Sequence, residues 1–274
     1  TFVKQASPQI QAQGKLMSVL GVFQKMIASK ANDHEGFYLL QSLISHYPRE
    51  ELIQIMPQIF RLLFQRLSSS KTTKFVKCLI VFFTFYALKI GPTELIKLID
   101  EIQPQMFGMV CQRVFVSDIN KVSGDTDRKI VAVGIVKILC DAPAMLQQPY
   151  ISHWQSLVQA LIELFELPVD ESNIEGDSFI EIEDTASYQV AYSQLNFATS
   201  KRDDPVSEVP DARRFLLEKL KTMHQPEVKS MLQQMSGHHH AALQKYSTQL
   251  GGGSSGFWGK KKKEEGGGGG GGGG

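Results

Sequence analysis

The 274-residue sequence is short of glycine, cysteine and long apolar runs, and it has no excess of either charge. Of its 23 Gly, 14 fall in positions 251–274, a tail of little besides Gly, Ser, Lys and Glu. The other 250 residues hold 9 Gly, about half the average usage of ~7%. A body so poor in glycine and so rich in apolar side chains is neither collagen-like nor composed for disorder. The three cysteines, Cys78, Cys111 and Cys140, are odd in number and far apart, with no C-x-x-C pair. They outline neither a disulfide framework nor a thiolate zinc site, and a reducing compartment suits them. Residues 78–88 are uncharged between Lys77 and Lys89, far short of the ~20 apolar residues that span a bilayer. The longer uncharged run 142–162 is interrupted by two Pro and several Gln. No membrane insertion is expected. Without the four Lys and two Glu of the tail, 25 Lys+Arg face 26 Asp+Glu, which is not the basic balance of a nucleic-acid binder.

Catalytic signatures are missing as well. The sequence contains no G-x-x-x-x-G-K-S/T, G-x-G-x-x-G, G-x-S-x-G or H-E-x-x-H, so no enzyme, cofactor or catalytic residue is expected. Three adjacent His at 238–240 splay over about 200° of a helix and cannot converge on one metal ion. His34, between Asp33 and Glu35, reads as a surface residue in a turn. The cysteines fall on apolar faces and read as core thiols. Positions 1–16 mix Lys, Gln and Pro and do not form a signal peptide. The chain begins with Thr rather than Met and reads as a piece of a longer protein.

What the sequence does have is helical periodicity. Leu16, Val19, Leu20, Phe23 and Ile27 follow i, i+3, i+4, i+7 spacing, and so do Trp154, Leu157, Val158, Leu161 and Phe165. Alternation of period two is confined to residues 179–183. Start and stop signals predict a helix opening at Ser7-Pro8, with serine as cap and proline at the first position. Further helices are expected over about 35–47, 48–67, 72–90, 93–102, 104–122, 126–140 and 149–167. After a loop, helices resume at about 187–198, 211–224, 226–236 and 238–250. Pro8, Pro48 and Pro92 lie 40 and 44 residues apart, with about two helices per interval. That is the spacing of a HEAT or armadillo solenoid, an all-α superhelix of antiparallel helix pairs. The helix at 72–90 is apolar almost all round, so it must be covered on most sides. The inner layer of a solenoid, flanked by the preceding and following pairs, meets that requirement. The body is thus one helical-repeat region over 1–250, and 251–274 reads as a flexible tail, either an artefact or a natural end.

Two charge segregations stand out. Between Leu52 and Thr93 there are six basic residues and no acid. Lys71, Lys74 and Lys77 recur at spacing three, which places them on one face near a helix start, where the helix dipole disfavours cations. Either they form a solvated face or they await an acidic partner. Between Glu166 and Asp184 there are eight acids and no Lys or Arg. Asp170, Glu171, Glu175, Asp177, Glu181, Glu183 and Asp184 belong to an acidic loop over about 168–186. This loop is either solvated or a docking surface for a basic protein.

Several strings are specific enough to carry a resemblance. "LGVFQKMIASKANDHEGFYLL" at 20–40, "LLFQRLSSSKTTKF" at 62–75, "IQPQMFGMV" at 102–110 and "KVSGDTDRKIVAVGIVKIL" at 121–139 are four of them. "LIELFELP" at 161–168 and "FIEIEDTASYQVAYSQLNFA" at 179–198 complete the series. In this order they resemble the C-terminal third of the importin-α re-exporters of the karyopherin-β family, densely over about 15–200. The resemblance implies a superhelix of HEAT repeats and a carrier that shuttles between nucleus and cytoplasm. It implies two partners, importin-α and GTP-bound Ran, and binding rather than catalysis. A helical-repeat scaffold for another assembly is the alternative, and the part of a parent chain preceding these residues would discriminate.

Overall fold

The computed structural model describes residues 2–168 and 204–249, and every regular element among the described residues is helical. The order is α1 (Phe2–Ala12), α2 (Leu16–Ala28), α3 (Asp33–His46), α4 (Arg49–Ser69), α5 (Thr73–Lys89), α6 (Pro92–Asp100) and α7 (Met106–Val110). A π-helical turn (Cys111–Val116) and a 3-10 turn (Ile119–Lys121) lead into α8 (Asp125–Asp141). A second 3-10 turn (Pro143–Leu146) precedes α9 (Ile151–Glu166). Beyond the undescribed stretch come α10 (Ala212–Thr222), α11 (Pro226–Gln233) and α12 (Gly237–Gln249).

These helices form two layers. In one, α1 packs on α3, α3 on α5, α5 on α8 and α8 on α10. In the other, α2 packs on α4 and α4 on α6, and the row continues through α7 and the π-helical turn to α9 and α12. Each pair rests on the next, which is the HEAT-type solenoid expected from the spacing.

Helix α5 shows how sequence produces this packing. Thr72 caps it, its hydroxyl accepting from the Phe75 amide at 3.2 Å. Gly91, with φ of 136°, ends the run and delivers Pro92 to the first position of α6. Between these signals Phe75, Leu79, Ile80, Phe82 and Phe83 are fully buried. Phe82 lies 6.0 Å from the Phe37 ring of α3 and 5.9 Å from the Phe60 ring of α4. On its remaining side α5 meets α8, and Gly134 makes that approach possible. A Cβ at Gly134 would lie 2.5 Å from Thr84 Cβ and 2.8 Å from the Thr84 carbonyl oxygen. The Thr84 hydroxyl donates back to the Ile80 carbonyl at 2.8 Å, so this buried polar group needs no partner from α8.

Two expectations are corrected. Ser7-Pro8 is not a helix start: α1 begins at Phe2 and contains Pro8, and the break comes at Gly14, whose φ is 63°. Val3, Ser7 and Ile10 are buried at i, i+4, i+7 spacing. Packing of that face on α3, with the Ser7 hydroxyl donating to the His46 carbonyl at 2.8 Å, outweighs the bond that Pro8 forfeits. The single helix expected over 104–122 is instead α7, a π-helical turn and a 3-10 turn. Phe107, Val110, Cys111, Val114 and Phe115 nevertheless stay buried throughout. The acidic residues Asp170, Glu171, Glu175, Asp177, Glu181, Glu183 and Asp184 lie outside the described residues. So do the alternation at 179–183, the helix expected at 187–198 and the tail at 251–274.

Candidate interaction surface

Three of the six basic residues at 52–93, Arg66, Lys71 and Lys74, are partnered by acids distant in sequence. Arg66, near the end of α4, is buried and places Nη2 3.4 Å from Asp33 Oδ2. Its Nε donates to the Ile27 carbonyl at 3.1 Å and its Nη1 donates to the Ser70 carbonyl. The guanidinium also lies 4.9 Å from the centroid of the Phe75 ring, a cation–π distance. Lys74 donates to the Ala31 carbonyl at 3.1 Å, and its Nζ lies 3.5 Å from Asp33 Oδ1. One fully buried carboxylate thus ties the start of α3 to the end of α4 and the first turn of α5. Burial, followed by the charge of Lys74, holds the neighbouring His34 below the usual imidazole range.

Lys71 precedes α5 rather than sharing its face, because the helix starts at Thr73. Its Nζ lies 3.3 Å from Asp118 Oδ2, and Lys121 takes the other oxygen of Asp118 at 2.6 Å. Lys77 is half-buried and makes no ion pair among the described residues. The structure therefore separates the three lysines: Lys71 and Lys74 are engaged by carboxylates of this chain, and Lys77 meets none among the described residues.

A second cluster of charge sits where α8, α9 and α10 meet. Arg128, in the first turn of α8, donates to the Val122 carbonyl at 3.0 Å and to the Pro168 carbonyl at 2.7 Å. Lys129 pairs with Asp204 at 2.5 Å. Arg213 of α10 donates to the Phe165 carbonyl and lies over the rings of Phe165 and Tyr246, 5.7 and 5.5 Å from their centroids. A groove of about 290 Å³ runs between these elements, with Asp125, Arg128, Lys129 and Arg213 among its charged lining and Phe165 and Pro168 among its apolar lining. Glu166, the first acid of the acidic run, is committed here, accepting from the Tyr246 hydroxyl at 2.6 Å with Lys245 at 3.4 Å. The hydrogen bond from Tyr246 is the main cause of a carboxyl pKa below the usual range. Sequence reasoning missed Asp33, Arg66, Arg128 and Lys129. No local pattern pairs residues 33 with 66 or 129 with 204.

The histidine run supplies a staple. His239 stands between the Ser236 hydroxyl at 2.6 Å and Glu163 Oε1 at 3.2 Å, joining α12 to α9. Burial raises the Cys140 thiol to about 12 and pushes Cys111 higher still, the reverse of activating a nucleophile. Among the described residues no group of three His, Cys, Asp or Glu side chains is placed to hold a metal ion, and no helix is long and apolar enough to cross a membrane.

Comparison with known proteins agrees with this architecture. Residues 1–246 match the family described as CAS/CSE protein, C-terminus. Exportin-2 of Danio rerio is 51% identical over 225 residues, covering 81% of this chain and 23% of the relative. Exportin-2 of Drosophila melanogaster is 48% identical over 250 residues, covering 85% and 26%. Exportin-2 of Homo sapiens is 49% identical over 225 residues, covering 81% and 23%. The chain therefore spans about a quarter of the length of these relatives. Among solved structures, the exportin Cse1 in its cargo-free, cytoplasmic state superposes with a TM-score of 0.66 at 27% identity, covering 83% of this chain and 24% of that one. With a family match across residues 1–246, the chain belongs to the CAS/CSE protein family, in the region described as its C-terminus.

Proposed function

We propose that this chain is part of a nuclear transport receptor that carries importin-α out of the nucleus together with GTP-bound Ran and releases both in the cytoplasm. The observation that carries this reading is identity near one half to exportin-2 proteins over four-fifths of the chain. The two-layered solenoid supports it, because stacked helix pairs offer extended surfaces for protein partners. In this reading the chain's chemistry is binding, and the GTPase activity belongs to Ran.

Within the receptor, the acidic residues from Asp170 to Asp184 dock a basic partner surface. Seven acids without a Lys or Arg among them would raise the association rate with such a surface. Lys77 is the member of the basic set available to an acidic partner, since Lys71 and Lys74 already face Asp118 and Asp33. The test is a pull-down with the full-length receptor. Importin-α is retained with GTP-loaded Ran and lost with GDP-loaded Ran. Equal retention with both, or none with either, refutes the reading.

A further inference from the structure

Solenoids are built from nearest-neighbour contacts, and one segment of this molecule departs from that rule. Residues 204–209 lead into α10, whose neighbour in its layer is α8. The segment nevertheless reaches past α8 to α5: Lys89, the last residue of α5, donates to the Pro205 carbonyl at 2.8 Å across 116 residues of sequence. On α8, Lys129 pairs with Asp204 at 2.5 Å. The segment is itself a formed turn. The Val206 amide donates to Asp204 Oδ1 at 2.9 Å, the Ser207 amide to the Asp204 carbonyl at 3.3 Å, and the Val209 amide to the Val206 carbonyl at 3.0 Å. Val206 is 1% exposed and belongs to the hydrophobic core.

We propose that residues 204–209 act as a strap that braces the α5–α8 seam across a repeat. The seam beneath includes the close approach of the two helices at Gly134 and Thr84. The strap has one cationic hold on each side of it, Lys89 on α5 and Lys129 on α8. Bending the solenoid at this seam changes the distance between the two lysines, and a strap bound to both resists that change. The Lys129–Asp204 pair is partly solvated, with side chains 22% and 36% exposed, so its hold is modest and can be displaced. A protein partner that displaces the strap would free the two sides of the seam to alter their mutual angle.

Amide hydrogen exchange on the full chain tests the strap. Lys129→Met should speed exchange of the Val206, Ser207 and Val209 amides by up to about fivefold. It should also speed exchange in the last turn of α5, which the substitution does not touch. Lys129→Arg should restore both, and Lys89→Met should reproduce the pattern from the other side. Lys219→Met, which breaks the 2.6 Å pair between α10 and Asp141 of α8, should leave α5 unchanged. A rise confined to residues 204–209 overturns the brace and leaves a local loop anchor. No rise at all overturns the lysine hold itself.

Discussion

Replacing Gly134 by alanine sets two magnitudes against each other. In an unencumbered helix the change is favourable, because glycine costs about 1 kcal/mol relative to alanine. At Gly134 the added Cβ would sit 2.5 Å from Thr84 Cβ, 2.8 Å from its carbonyl oxygen and 2.9 Å from its Cα. Two of these three atoms are backbone within α5, so relief requires moving a helix rather than turning a side chain. Overpacking of this kind costs roughly 1–3 kcal/mol, or more where the surroundings are rigid. Because backbone must move, the cost lies at the top of that range, about 3 kcal/mol, and after the propensity gain of about 1 kcal/mol the net expectation is a loss of about 2 kcal/mol. For a chain of this size that is a fall in Tm of roughly 4–8 °C. Gly21 in α2 is the control: a Cβ there meets nothing within 4 Å, so Gly21→Ala should gain stability. Thermal unfolding followed by circular dichroism on both variants reads the difference. If Gly134→Ala is as stable as Gly21→Ala, the close approach of α5 and α8 is wrong.

Arg66→Ala should cost about 3–5 kcal/mol, because it strands the fully buried Asp33 carboxylate; chemical denaturation measures it, and a loss below about 1 kcal/mol would show that Lys74 and solvent suffice. Glu166 is depressed chiefly by the Tyr246 hydrogen bond. Its stabilising contribution is therefore present above the ordinary carboxylate value and lost as pH falls from there through the lowered value. Tyr246→Phe should flatten the pH dependence of stability in that window, and an unaltered profile would remove the hydroxyl from the account. Reversing Glu181, Glu183 and Asp184 to Lys together should slow association with a basic partner and reduce its salt sensitivity, while stability changes by less than about 1 kcal/mol per site. Stopped-flow binding and a thermal melt separate that outcome from a folding defect.

Much of the fold was legible because helix formation is local. The spacing of Trp154, Leu157, Val158, Leu161 and Phe165 predicts the buried face of α9, and all five are buried. The apolar girdle of 72–90 implied cover on most sides, and α3, α4, α6 and α8 provide it. Local signals failed where tertiary packing competed with them. Ser7-Pro8 has the composition of a helix start, yet burial of Val3 and Ile10 against α3 extends the helix through it. The spacing of Lys71, Lys74 and Lys77 suggested one exposed cationic face. The capping hydroxyl of Thr72 starts the helix after Lys71, and each of the first two lysines finds its own carboxylate.

By itself, the sequence determined where most of the helices lie, that they stack in pairs, and that the helix at 72–90 is covered on most sides, since these follow from apolar spacing within about twenty residues. It also carried the family resemblance, in strings of eight or more residues. Only the tertiary structure decided which charges are available. Asp33 meets Arg66 and Lys74, Asp118 meets Lys71, and Asp204 meets Lys129 because particular helices are neighbours, and an ion pair at 3 Å is set by that neighbourhood rather than by any period in the chain. The acid-free window at 52–93 therefore described the sequence correctly but not the surroundings of Arg66, Lys71 and Lys74. The strap at 204–209 is the extreme case, joining α5 to the approach to α10 across more than a hundred residues that no local pattern connects.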